Sequence, residues 1–264
     1  MENEDEIEDL IPSVLACDVG NSAIHFAHVK GDTVSPVQVV RVGALSSLGA
    51  ALAELWATVP QPRKIAAASV NPTALKALEA AAQESLGEPV KVIGRDLPLP
   101  ITTDLPHPEK IGVDRLCAAV AAYDRLGVAC VVADFGTAIT IDCVNDDGMF
   151  LGGAILPGLS TGASALSANT AQLPKVELEN PDWVFGKDTR QAIVGGLVFG
   201  ARGAFRYFVE NYATELGHWP LVIVTGGDAK FVCPDVGHDE LVQAIVPDLV
   251  LRGIAAAYYQ TLVK

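Results

Sequence analysis

Two short stretches of this 264-residue chain place a carboxylate and a glycine at the end of an apolar run. The first is Asp18-Val19-Gly20-Asn21-Ser22 and the second is Asp134-Phe135-Gly136-Thr137. A glycine turn presents successive backbone N–H groups, and Asn or Ser side chains beside it complete a cradle for phosphate. A strand-end Asp holds magnesium directly or through its waters. Either stretch alone is equally ordinary turn chemistry. The spacing is the informative feature, because Asp18 and Gly20 recur as Asp134 and Gly136 at one constant offset of 116 residues. Two related turns facing each other across a cleft bring two carboxylates to one polyphosphate, whereas an architectural duplication uses the same turns only for folding.

A third stretch, Gly112-Val113-Asp114-Arg115, precedes an apolar helix pattern. It reads either as a first-turn acid with a surface Arg or as a general base beside a cationic anchor for an anionic substrate. Gly152 to Gly158 and Thr225-Gly226-Gly227 are small-residue loops after strands, where close packing and close ligand approach are both open. His25 and His28 lack acidic or cysteine partners at ligand spacing and read as structural. Ser160 and Ser164 lack the elbow of a hydrolase nucleophile, and no Walker A sequence occurs. The cysteines (Cys17, Cys117, Cys130, Cys143 and Cys233) form no CxxC pair and sit mostly in apolar runs, so they read as buried free thiols of a reducing compartment.

The elements that must carry these residues follow from periodicity. Residues 14–17 and 23–29 read as strands around the first turn, with a hairpin signal at Gly31-Asp32 before a third strand over 34–42. Helical patterns cover 44–56 and 72–86, the latter capped by Asn71, and strands cover 64–70 and 90–93. After a proline-rich loop at 97–108 and a helix over 113–126, the strand-turn-strand pattern returns at 128–156. Helices follow around 161–166, 189–216 and 249–262, with a strand at 221–224. The division this implies is an acidic disordered tail at 1–12, one α/β half at 13–126 and a second at 127–264.

Half of the chain is apolar and its mean hydropathy is +0.33, yet no uninterrupted apolar run reaches the roughly 18 residues of a membrane span. The formal charge of −14 repels phosphate backbones and anionic lipid headgroups at long range. A soluble cytoplasmic protein with no nucleic acid or membrane partner is the expectation.

Taken in order along the chain, the first hairpin, Gly112-Val113-Asp114-Arg115, the second hairpin with Thr140-Ile141-Asp142, Gly152 to Gly158, Thr170-Ala171-Gln172-Leu173-Pro174 and Thr225-Gly226-Gly227 resemble the type III pantothenate kinases. The resemblance implies an α/β, duplicated ribonuclease H-like (actin-like ATPase) fold with two similar halves around a cleft. It also implies ATP-dependent phosphorylation of pantothenate to 4′-phosphopantothenate, the first step of coenzyme A biosynthesis, by a homodimer needing Mg2+ and a monovalent cation, K+ or NH4+. Carried over by position, Asp18, Val19, Gly20, Asn21, Ser22, Ala23, Ile24 and His25 would cradle ATP, with Asp18 placing magnesium and Thr137 also contacting ATP. Asp114 would be the general base, Gly112, Val113, Asp114, Arg115 and Thr189 would bind pantothenate, and Asp134 would hold the monovalent cation. Two departures stand out: His25 occupies the place of the family's Lys, and the Tyr expected before the Gly-x-Asp-Arg stretch has no counterpart near Thr103 and Asp104. These departures motivate an alternative reading, a nucleotide-binding regulatory homologue with weakened catalysis.

Overall fold

The computed structural model describes residues 11–234 and 241–262, so the acidic tail expected at 1–12 lies, through residue 10, outside the described residues. The chain forms two compact units, one of Met1–Ala121 with Asp248–Lys264 and one of Ala122–Pro247.

In the first unit β1 (Ser13–Val19) is central. It pairs antiparallel with β2 (Ala23–Lys30) on one side and parallel with β5 (Arg63–Ser69) on the other, and β5 pairs with β6 (Val90–Val92). The third strand expected over 34–42 is instead two short strands on β2, β3 (Thr33–Val34) and β4 (Gln38–Arg41). Pro36 has no N–H for a ladder, and Ser35 bonds His28 through its own N–H and hydroxyl. The helix expected from residue 44 opens as a 3-10 turn at Val42–Ser47 and becomes α1 at Leu48–Trp56. The next helix, α2 (Pro72–Leu86), starts where Asn71 Oδ1 accepts from the N–H groups of Thr73 and Ala74, both at 3.1 Å, and stops at left-handed Gly87.

Alternation along β1 assigns its two faces. Leu15, Cys17 and Val19 pack with Leu48, Leu52 and Leu78 of α1 and α2. Val14 and Ala16 pack with Val113 and Cys117 of α3 (Val113–Leu126) and with Leu251, Ile254, Ala255 and Ala257 of the last helix. Each fully buried Leu contributes about 1.5–3 kcal/mol, so both faces are held strongly.

The second unit repeats this plan. Its central strand β7 (Cys130–Phe135) pairs antiparallel with β8 (Ala138–Val144), β8 with β9 (Phe150–Pro157), and on the other side β7 runs parallel to β10 (Leu221–Thr225), which pairs with β11 (Ala244–Ile245). The strand orders β3-β2-β1-β5-β6 and β9-β8-β7-β10-β11 correspond position by position, with the parallel crossovers on the same side. The duplication read from the 116-residue offset is therefore a duplicated α/β sheet topology.

Helices α4 (Leu159–Asn169) and α5 (Thr189–Leu216) cover this second sheet. Val194, Val198, Ala201, Phe205 and Val209 of α5 recur every three or four residues and are buried, with Phe205 edge-on to Phe135 at 5.5 Å between ring centroids. At 28 residues α5 is long and apolar enough to cross a bilayer. Arg202 and Arg206 interrupt its apolar run, and its buried stripe is that of a core helix.

The short α6 (Ala229–Val232) and the final α7 (Leu249–Tyr259) complete the elements. The division at 126/127 put α7 with the second half by chain order. Its buried contacts are instead with β1, β2 and β5, so residues 248–264 belong to the first unit.

Candidate active site

The first turn is shaped by its hairpin. Val19 faces Ile24, Gly20 N–H donates to Ala23 O at 3.0 Å, and Asp18 stands opposite His25. Asn21 and Ser22 are exposed at the tip. From behind, Val70 N–H donates to Val19 O at 3.1 Å, which fixes the turn to the end of β5. His25 Nδ1 is 4.0 Å from Asp18 Oδ2, with 46% of the His side chain and 21% of the Asp side chain exposed. Burial lowers the imidazole below its ordinary value, so His25 is neutral near pH 7 and the pair is polar rather than ionic.

Asp114 is the second residue of α3, and both Arg115 N–H and Leu116 N–H return to Gly112 O. Its Oδ1 accepts from Arg115 N–H at 2.8 Å. A Cβ at Gly112 would fall 2.5 Å from that oxygen, so a side chain there would push the carboxylate aside. Burial raises the Asp114 pKa, and the Arg115 amide bond and Arg115 charge only partly oppose it. Even-numbered residues of β1 face α3, so Asp18 shares the face of Val14 and Ala16, against which Cys117 packs. Burial pushes the Cys117 thiol well up, and the charges of Asp18 and Asp114 push it further. Asp18 and Asp114 are thus both near enough to Cys117 for their charges to act on its thiol.

In the second unit Asp134 faces Thr140 on β8 and Thr225 on β10, and Gly136 N–H donates to Ala138 O at 3.1 Å, repeating the closure at Gly20. Two motifs left open by the sequence converge on this turn. Gly158 N–H donates to Thr137 O at 3.1 Å, Thr161 Oγ1 donates to the same carbonyl at 2.7 Å, and a Cβ on Gly158 would lie 2.2 Å from Gly136 O. Gly226 has φ +93°, and a Cβ there would lie 2.4 Å from Asp134 Oδ1 and 2.5 Å from Phe135 O. Asp228 N–H donates to Phe135 O at 2.9 Å, and burial raises the Asp228 carboxyl.

Gly158, Thr161, Gly226 and Asp228 were not assigned to a site from the sequence. The two glycine motifs were the available signal, but glycine shows neither which neighbour requires it nor on which side.

Thr189 is exposed at the first position of α5, fixed by a reciprocal cap. Asp188 Oδ1 accepts from Gln191 N–H at 2.7 Å, and Gln191 Oε1 accepts from Lys187 N–H at 2.9 Å.

Among the described residues no three His, Cys, Asp or Glu side chains cluster as metal ligands. The donor set offered is single strand-end carboxylates beside backbone oxygens. This suits a cation that keeps waters or shares phosphate oxygens, as magnesium does.

The paired sheets define the class first: an α/β protein of the duplicated ribonuclease H-like fold. Its likeness to the crystal structure of ethanolamine utilization protein EutJ from Carboxydothermus hydrogenoformans accords with this, at a TM-score of 0.51 and 14% identity over 93% of this chain and 89% of that one. The family model for type III pantothenate kinase matches residues 14–211, and the chain belongs to that family. It is 38% identical to the type III pantothenate kinase of Thermomicrobium roseum over 196 residues, 74% of each chain. It is also 38% identical to that of Akkermansia muciniphila over 170 residues, 64% of this chain and 69% of the relative.

Proposed function

We propose that this chain transfers the γ-phosphoryl group of ATP to the primary hydroxyl of pantothenate, giving 4′-phosphopantothenate and ADP, the first step of coenzyme A biosynthesis. The observation that carries the reading is Asp114, a half-buried carboxylate with raised pKa at a helix start within a kinase-family chain. Phosphoryl transfer needs mainly positioning and charge neutralisation, so the protein supplies few groups. Asp114 takes the hydroxyl proton as the oxygen attacks phosphorus, and its raised pKa makes it a better base at neutral pH. Within the first unit Gly112, Val113 and Arg115 are the proposed pantothenate contacts, and within the second unit Thr189 is. The turn from Asp18 to His25 is the proposed phosphate cradle of the first unit, and Thr137 is the proposed ATP contact of the second.

Asp18 is the residue that would hold Mg2+, and Asp134, beside Phe135 O, would hold K+ or NH4+. When bound, these cations neutralise phosphate charge. Five buried free thiols suit a reducing compartment, here the cytoplasm.

The test is a coupled assay with ATP, pantothenate, Mg2+ and K+. Turnover that falls by most of its value when K+ is withdrawn is the expected result, and no turnover with pantothenate overturns the reading.

A homodimer is part of the proposal. On α5, Gly196, Phe199, Gly200, Gly203 and Tyr207 form an exposed stripe, and a Cβ at any of these three glycines would meet nothing within 4 Å. Each costs the helix about 1 kcal/mol relative to Ala. The monomer's own packing does not require them, whereas a second copy's backbone approaching this face does. Phe199→Glu with Tyr207→Glu is expected to convert a dimer into a monomer in sedimentation velocity, and an unchanged sedimentation coefficient places the interface elsewhere.

A further inference from the structure

Helix α7 lies beyond residue 211, where the family match ends, and no group of the proposed reaction is on it. Yet its Gly253 touches the backbone of α3. A Cβ at residue 253 would lie 1.8 Å from Cys117 O, 2.4 Å from Cys117 C and 2.8 Å from Cys117 Cα. All three are main-chain atoms, so no rotamer change relieves the overlap. Cys117 follows Asp114 by one helical turn, and its thiol feels the charges of both Asp114 and Asp18.

The helix is also fastened on both sides of this contact. Arg252 donates to both carboxylate oxygens of Asp248, at 3.1 and 3.0 Å, and to Asp32 O at 3.0 Å. Tyr259 Oη donates to Val29 O at 3.1 Å, and Gln260 Nε2 to Pro100 O at 3.2 Å. With α7 fastened in this way, the overlap created by a side chain at residue 253 falls on the α7–α3 contact at Cys117.

We infer that Gly253 is a positioning residue for phosphoryl transfer: its missing side chain seats α7 on α3 and sets where the helix start presents Asp114 beside the end of β1. The inference rests on the proposed role of Asp114. An ordinary contact distance at Cys117 O would require a shift of roughly 1 Å or more. Misplacement by about 1 Å costs on the order of 10²-fold in rate.

The experiment compares Gly253→Ala, Ile254→Val and Asp114→Asn by steady-state kinetics, circular dichroism and thermal unfolding. Ile254 is buried in the same cluster, and its substitution removes a methylene without adding an atom to the contact. The expected result is a folded Gly253→Ala protein with kcat lowered about 10²-fold and KM for ATP within about threefold of the parent. Ile254→Val loses stability and keeps kcat. A Gly253→Ala protein with parental kcat, whatever its melting temperature, overturns the inference while Asp114→Asn remains inactive. An active Asp114→Asn overturns the base assignment itself. Where Gly253→Ala does not fold, Arg252→Ala loosens the same helix without inserting atoms. A several-fold fall in kcat then supports the inference, and an unchanged kcat overturns it.

Discussion

Asp114→Asn is expected to lower kcat by about 10²–10⁴-fold, the contribution of a positioned general base, while raising the melting temperature at pH 7. The two effects have one physical source. Burial raises the carboxyl pKa because the interior penalises the ionised form, and the Arg115 amide and charge recover only part of that penalty. The ionised side chain that accepts a proton best is thus the one the folded state tolerates least. The folded pKa lies above the unfolded one, so the group costs no stability below the unfolded carboxylate range near pH 4. Its penalty grows as pH rises through the folded value. Asn is neutral throughout, so the gain in melting temperature should be present at pH 7 and vanish toward pH 4. Paired kinetic and calorimetric measurements at both pH values check this. Parental kcat in the Asn variant would remove Asp114 from the chemistry, and a melting temperature unchanged at pH 7 would remove the burial argument.

Much of the fold was legible because duplication leaves a one-dimensional trace. Asp18 and Gly20 recur 116 residues later because each pair ends the central strand of a sheet built in the same order. Local chemistry was legible for the same kind of reason: Asn71 and Pro72 mark a helix start through groups adjacent in sequence. Long-range closure was not. Gly226 and Gly253 look alike in the sequence, yet one abuts Asp134 and the other Cys117, partners more than 90 residues away. The final helix was assigned to the nearer half by chain order, while its apolar face fits the uncovered face of β1. Pro36 likewise divides a strand by removing a donor whose partner becomes visible only once β2 is in place.

The acidic balance of −14 acquires a different meaning beside these sites. ATP and pantothenate are anions, and the surface field opposes both at long range. That field is screened within roughly 8–10 Å at physiological salt, whereas backbone N–H groups, Arg115 and bound cations act at contact distance. Affinity therefore depends on local geometry rather than net charge, and disturbing a single close contact should outweigh changing several surface charges.

Gly226→Ala is the sharpest such disturbance. At φ +93° an L side chain is strained by about 1–2 kcal/mol, and overpacking against Asp134 Oδ1 and the Phe135 carbonyl adds about 1–3 kcal/mol. At about 2–4 °C per kcal/mol for a chain of this size, the melting temperature should fall by roughly 4–20 °C. The second effect is specific to the site. The added methyl group would lie 2.4 Å from Asp134 Oδ1, so the carboxylate must turn aside. With Asp134 as the proposed holder of the monovalent cation, half-maximal activation should then need about ten times more K+ or be lost. Asp134→Asn separates the two effects, because it removes the cation ligand without straining residue 226. It should abolish K+ activation with a much smaller fall in melting temperature. A Gly226→Ala enzyme that melts early but keeps the parental K+ curve would reduce the glycine to a packing role. If Asp134→Asn also keeps that curve, the monovalent cation must be held by other groups.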